Sequence, residues 1–175
     1  MCYKKSMTES PYLHEVAITA IIMKGDKYLI TRRSANKKRF PGMWTVPGGR
    51  LEASDYLALP KDTEAYWYNV LERALAREVK EEVGIEIKNV EYLTSLARVH
   101  EDGSPSIVLS CTAEYVRGEV VLQAEESDQY VWVTIEEAKG YDLIDGIFQE
   151  FVQVERRRQG ERALWENLTS WPLQK

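Results

Sequence analysis

The stretch Arg77-Glu78-Val79-Lys80-Glu81-Glu82-Val83-Gly84-Ile85, with Pro47-Gly48-Gly49 upstream of it, decides how this chain is read. Apolar residues recur at helical spacing from Trp67 to Val83, and Gly84 stops the run, so a helix is predicted over 67–83. At about 100° per residue with Val70 at zero, Ala74 falls near 40°, Trp67 near 60°, Leu71 near 100°, Leu75 near 140° and Val79 near 180°. That arc is the expected buried face, with Arg73 and Lys80 opposite it. Glu78 falls at about 80° and Glu82 at about 120°, inside the arc, with Glu81 at about 20° on its edge.

Carboxylates so placed are unfavourable by themselves. Like charges three or four residues apart cost roughly 0.2–0.5 kcal/mol per pair. Acids in the last turns also meet the negative end of the helix dipole, at roughly 0.3–1 kcal/mol each when exposed. A hard divalent ion reverses the balance, because Mg²⁺ takes oxygen ligands and cancels the repulsion. A count of glutamates would equally suit a solvated helix end; their angular position is what points to a metal.

The run from Arg77 to Ile85 resembles the second half of the Nudix box, and Pro47-Gly48-Gly49 resembles its glycine-bearing start. The resemblance extends to the flanking pattern, from a first hairpin to Trp132-Val133 and a short helix beyond, and it is MutT-like. It implies an α+β fold, a Nudix-type α/β/α sandwich with a mixed sheet between helices. It implies that Glu78, Glu81 and Glu82 bind Mg²⁺, with Mn²⁺ as a substitute, together with a backbone carbonyl of the Gly48-Gly49 turn. Arg77 is expected to pair with a neighbouring box carboxylate. The general base varies within the family, so Glu78, Glu81, Glu125, Glu126 and Asp128 all stand as candidates. The implied reaction is hydrolysis of a phosphoanhydride.

This chain departs from the family pattern in its spacing. The family has five residues between the box glycine and a first glutamate, then seven before the arginine. Here Asn69 stands eight before Arg77, and the spacer from Gly49 is fourteen residues too long. Counted back from Arg77, the ion pair made there in relatives is lost or supplied by Glu52, Glu64 or Glu72. A long insertion within the box, about residues 53–66, is therefore expected. Its aromatic residues, Tyr56 and Tyr66 above all, are candidates to stack on a base, since a long loop beside a metal site is more often functional than idle.

Working outward, His14–Met23 and Tyr28–Thr31 read as a hairpin around Lys24-Gly25-Asp26. Strands are predicted at Ile85–Val90, Tyr92–Val99, Ile107–Tyr115, Glu119–Leu122 and Tyr130–Val133. Thr134 to Glu137 reads as a capping box, and Asp145–Arg158 as an amphipathic helix. The expected organisation is a tail over 1–11, one domain over 12–159, and a helix extension or tail over 160–175.

A net charge of −5 argues against a nucleic-acid polymer as partner. The charge is uneven, however: Arg32, Arg33, Lys37, Lys38 and Arg39 cluster, and acids gather at Glu78–Glu86 and Glu125–Asp128. Such a pairing suits a small phosphorylated ligand with a divalent ion, and Arg32, Arg33 and Arg39 are candidates for its far phosphates. The apolar run from Val16 to Met23 is too short to span a bilayer, so no membrane partner is expected. With Cys2 and Cys111 alone there is no disulfide framework, and a reducing cytoplasm is the expected location. A homodimer is left open.

Phe40-Pro41-Gly42-Met43-Trp44 resembles relatives that hydrolyse nucleoside triphosphates, with Trp44 either core or substrate wall. Release of a monophosphate and pyrophosphate is thus the first expectation. An ADP-ribose or nucleoside diphosphate-sugar pyrophosphatase is the alternative, and a nucleotide sensor without turnover the third reading.

Overall fold

The computed structural model describes residues 13–161. Its strands are β1 (Glu15–Lys24), β2 (Lys27–Arg33), β3 (Trp44–Thr45), β4 (Gly48–Arg50), β5 (Glu86–Val99), β6 (Pro105–Arg117) and β7 (Ser127–Val133). Its helices are α1 (Ser54–Leu57), α2 (Val70–Val83), α3 (Ile135–Ala138) and α4 (Ile147–Arg158). The strands form one sheet in the order β3-β2-β1-β6-β5, with β4 also on β1 and β7 also on β2. β1 and β6 run parallel and the other pairs antiparallel, so the sheet is mixed as expected.

Alternation along the strands makes two cores. Ile18, Ala20 and Ile22 of β1 meet Ala74, Leu75, Val79 and Val83 of α2 on one face. Ile21 joins Tyr28, Ile30, Ile147, Phe151 and Val154 on the other, under α4. No helix among the described residues is long and apolar enough to cross a membrane.

Four segments fold differently from expectation. α2 starts at Val70, not Trp67: Asp62 accepts the Tyr68 N–H at 2.9 Å, and Asn69 is left-handed at φ 52°. Those contacts hold the chain out of helical geometry until Asn69, a residue type that tolerates this conformation. The two strands expected over Ile85–Val99 are one, β5, in which bulges at Lys88/Glu91 and Tyr92/Thr94 carry pairing across the apparent break. Glu119–Leu122 is not a strand. That segment crosses the end of α2 instead, with Val121 N–H on the Val83 carbonyl (3.1 Å) and Gln123 N–H on that of Glu82 (2.9 Å). Finally, Ser54–Leu57, expected as loop, forms a helical turn.

Gly84 caps α2 as predicted, at φ 76° with its N–H on the Lys80 carbonyl (3.1 Å). The Thr134 capping box is present with both of its hydrogen bonds. The two terminal segments, 1–12 and 162–175, lie outside the described residues.

Candidate active site

β4 lies on β1 in the register Ala17↔Arg50, Ile18↔Gly49 and Thr19↔Gly48, and it packs against α2. Both glycines are required there, for different reasons. A Cβ on Gly48 would stand 2.2 Å from the Ile18 carbonyl oxygen and 2.7 Å from Thr19 Cα, both backbone atoms. A Cβ on Gly49 would instead stand 2.1 Å from the Glu78 carboxyl carbon. Gly49 is thus the floor on which that carboxylate rests.

Glu82 is held one turn further along. Its Oε2 accepts the Gly48 N–H at 3.0 Å. Burial pushes its pKa up to about 7; the Gly48 bond and Arg33 oppose the rise, and the nearby charges of Glu126 and Glu78 add to it. Glu78 is also raised, by burial first, with Arg77 working against it and Glu81 and Asp55 with it. The helix therefore presents two desolvated carboxylates that repel each other, as the wheel implied.

Arg77 makes more contacts than the sequence foretold. Its Nε donates to Asp55 (2.6 Å), Nη1 to Glu81 (2.8 Å) and Nη2 to Glu78 (2.9 Å). Asp55 comes from α1, inside the expected insertion. Burial alone would raise its pKa, but Arg77 and the Glu52 N–H hold the carboxyl below its usual range. Its position was legible after all: five residues separate Gly49 from Asp55, the family's own spacing to its first acid. Counting back from Arg77 landed on Asn69 and hid it. The extra residues follow Asp55 rather than precede it.

Glu126, in the turn just before β7, is ion-paired with Lys37 and lies within electrostatic reach of Glu82. Arg33 is half-buried beside Glu126 and Glu82; burial lowers its pKa against their pull, and its Nε donates to the Arg39 carbonyl at 2.9 Å. Gly48, Arg33, Arg77, Glu78, Glu81, Glu82 and Glu126 thus gather at one end of α2. Other expected residues point elsewhere. Arg32 is clamped on Asp128 by two bonds of 2.7 and 2.9 Å, which occupies that candidate base as well. Arg39 donates to Glu15 (2.9 Å). Trp44 packs edge-on against Tyr141, centroids 4.8 Å apart, in the core under α4. Tyr56 packs on Trp67 at 5.4 Å, whereas Tyr66 is 66% exposed.

Among the described residues no three carboxylates, imidazoles or thiolates already surround one point at liganding separation. Arg77 is the cation that spans Glu78 and Glu81. The donor set nevertheless fits a hard divalent ion: it is all oxygen, and Glu82 is buried with Glu78 and Glu126 as like-charged neighbours.

Comparison with known proteins gives the family. Residues 13–151 match the NUDIX domain. The NAD-capped RNA hydrolase NudC of Pseudomonas aeruginosa is 28% identical over 120 residues, 69% of this chain and 36% of that protein. The chain thus spans about a third of that relative's length. The nucleoside triphosphatase NudI of Klebsiella pneumoniae is 26% identical over 142 residues, 72% of this chain and 86% of that protein. A solved MutT NUDIX hydrolase from Burkholderia pseudomallei shares the fold, with a TM-score of 0.65 at 20% identity over 81% of this chain and 98% of that one. On the match across 13–151 and the acidic helix seated on its glycine turn, the chain belongs to the Nudix family.

Proposed function

We propose that this chain is a Mg²⁺-dependent nucleoside triphosphate pyrophosphohydrolase, which adds water across the α–β phosphoanhydride to release a monophosphate and pyrophosphate. The observation that carries the reading is Glu82, buried under the Gly48 N–H with Glu78 and Glu126 as neighbouring acids. Glu78, Glu81, Glu82 and the Gly48 carbonyl would hold the metal, which, when bound, neutralises diphosphate oxygens and acidifies water.

The chain's own groups supply the rest. Arg77, fixed by Asp55, keeps Glu78 and Glu81 in position. Glu126 is our choice of base, since it neighbours Glu82 without being one of the helix ligands; a well-placed base contributes roughly 10²–10⁴-fold. Arg33, beside Glu82 and Glu126, offers a cation to the far phosphates. Similarity to a nucleoside triphosphatase over most of that protein's length favours triphosphates as substrates.

The test is a panel of nucleoside triphosphates, nucleoside diphosphate-sugars and ADP-ribose, assayed in Mg²⁺ and in EDTA with separate detection of phosphate and pyrophosphate. Pyrophosphate from triphosphates in Mg²⁺ only is expected. Turnover confined to ADP-ribose or sugar nucleotides would replace the substrate assignment, and no turnover at all would overturn the enzyme reading.

A further inference from the structure

On the opposite face of the sheet from α2 lies a polar chain that the chemistry above does not use. Glu150, in α4, is 3% exposed and Ser110, in β6, is 1% exposed. Ser110 Oγ donates to Glu150 Oε1 at 3.0 Å, and Thr19 Oγ1 lies 3.1 Å from Ser110 Oγ. Thr19 is only half-buried, so the chain reaches the surface there.

The direction of these bonds follows from counting protons. A serine hydroxyl has one to give. With Glu150 as the carboxylate, the form it takes above about pH 7, Ser110 gives its proton to Glu150 and the Thr19–Ser110 bond uses the proton of Thr19. The Thr19 oxygen is left with lone pairs alone and can only accept.

Thr19 is also placed where it matters. It pairs directly with Gly48 across adjacent strands, one strand spacing of about 4.8 Å from the glycine turn on which Glu82 rests. On the same face, four residues back along β1, Arg39 and Arg50 converge on Glu15 at 2.9 and 3.1 Å and give this stretch a cationic rim. Because Gly48 is paired directly with Thr19, a nucleotide that turns from the glycines over the β4 edge would bring its nucleoside to the Thr19 hydroxyl on the far face.

We propose that the Glu150–Ser110–Thr19 chain sets base preference: Glu150, a positioning residue, orients the Thr19 hydroxyl through Ser110 so that it offers only an acceptor to the nucleoside. A base presenting an amino N–H at that point is favoured over one presenting a carbonyl. The inference rests on the nucleotide reading above and deepens it. Burying a carboxyl beside two hydroxyls also has a structural consequence, so its role in specificity must be separated from its role in folding.

CTP against UTP, and ATP against ITP, are suitable pairs, because each exchanges an amino group for a carbonyl. Parent, Glu150→Gln, Thr19→Val and Thr19→Ser are compared well above pH 7, where Glu150 is ionised, by kcat and KM in Mg²⁺, by Kd from calorimetry in EDTA, and by melting temperature. In the parent, at least one amino-bearing triphosphate is expected to exceed its carbonyl partner by about fivefold to tenfold, the scale of one hydrogen bond. In Glu150→Gln the amide donates to Ser110 and reverses the chain, so the ratio falls to about one or inverts through KM with kcat little changed. Thr19→Val brings it to about one, and Thr19→Ser keeps it.

Equal ratios in parent, Glu150→Gln and Thr19→Val, all folded, would overturn the inference. A Kd ratio that responds as expected without any turnover would contradict the proposed activity and support this specificity role. Absence of measurable binding of any of the four triphosphates would overturn both.

Discussion

Replacing Gly49 by alanine should damage activity far more than stability, while the same change one residue earlier should damage both. The added Cβ at position 49 meets the Glu78 carboxylate first, at 2.1–2.4 Å, whereas ordinary contact begins near 3.4 Å. The carboxylate must retreat by more than an ångström, and as the end of a flexible side chain it can do so cheaply. A displacement of about 1 Å in a positioning group can cost on the order of 10²-fold in rate. At position 48 the clash is with backbone, 2.2 Å from the Ile18 carbonyl oxygen, and that strand pair cannot yield without losing its register. Overpacking of this kind costs typically about 1–3 kcal/mol or more. The assay is pyrophosphate release in saturating Mg²⁺ alongside urea denaturation of both variants. Parent-like turnover in Gly49→Ala would refute Glu78 as part of the site. Destabilisation of Gly49→Ala equal to that of Gly48→Ala would show that the backbone, not the carboxylate, absorbs the added carbon.

Three further outcomes are expected. Asp55→Asn should lower turnover by roughly tenfold while leaving Mg²⁺ dependence intact, since it removes one fixed charge behind Arg77 rather than a ligand; unchanged kinetics would make the Asp55–Arg77 pair purely structural. Burial raises the Glu150 pKa to about 7, so the folded state keeps a proton that the unfolded chain releases near 4.5. The associated stability is therefore full below about pH 4.5 and lost as pH rises towards 7, by at most about 3 kcal/mol. Glu150→Gln should flatten that slope in denaturation curves from pH 4.5 to 8, and an undiminished slope would assign it to another group. Tyr66→Ala should leave the melting temperature unchanged and raise KM if the insertion covers substrate, whereas Tyr56→Ala should lower the melting temperature because that ring packs on Trp67; unaltered KM in both variants would exclude a lid.

The acidic helix was legible because two periodic signals coincide in it: an apolar arc, and acids lying inside that arc. Glu78 and Glu82 were placed by angle alone, and the structure buries both near the glycine turn. The sheet was legible from alternation in β1 and β2. What escaped the sequence reading depended on contacts between distant segments. Asp55 was hidden because an insertion shifts any count made from one end only. The loss of helix over Trp67–Asn69 follows from Asp62 capturing a backbone N–H six residues away, which no periodicity encodes. Strand alternation separates Arg32 from Arg33, and the basic cluster divides accordingly: Arg33 lies beside Glu82 and Glu126 and Lys37 pairs with Glu126, whereas Arg32 pairs with Asp128. The Thr19–Ser110–Glu150 chain joins three elements 91 and 40 residues apart, and nothing local marks it.

The central claim is that the α2 carboxylates hold a divalent cation, and Mg²⁺-induced stabilisation tests it without reference to any substrate. A ligand bound to the native state alone at about a hundred times its Kd stabilises by about 2.7 kcal/mol. For a domain of this size that corresponds to roughly 5–10 °C in melting temperature. Mg²⁺ titrated into the parent should raise its melting temperature by that amount, and the shift should nearly vanish in Glu78→Gln/Glu82→Gln, whose own starting temperature should be higher once the repulsion is removed. An equal Mg²⁺ shift in parent and double variant would place the ion elsewhere and contradict the account.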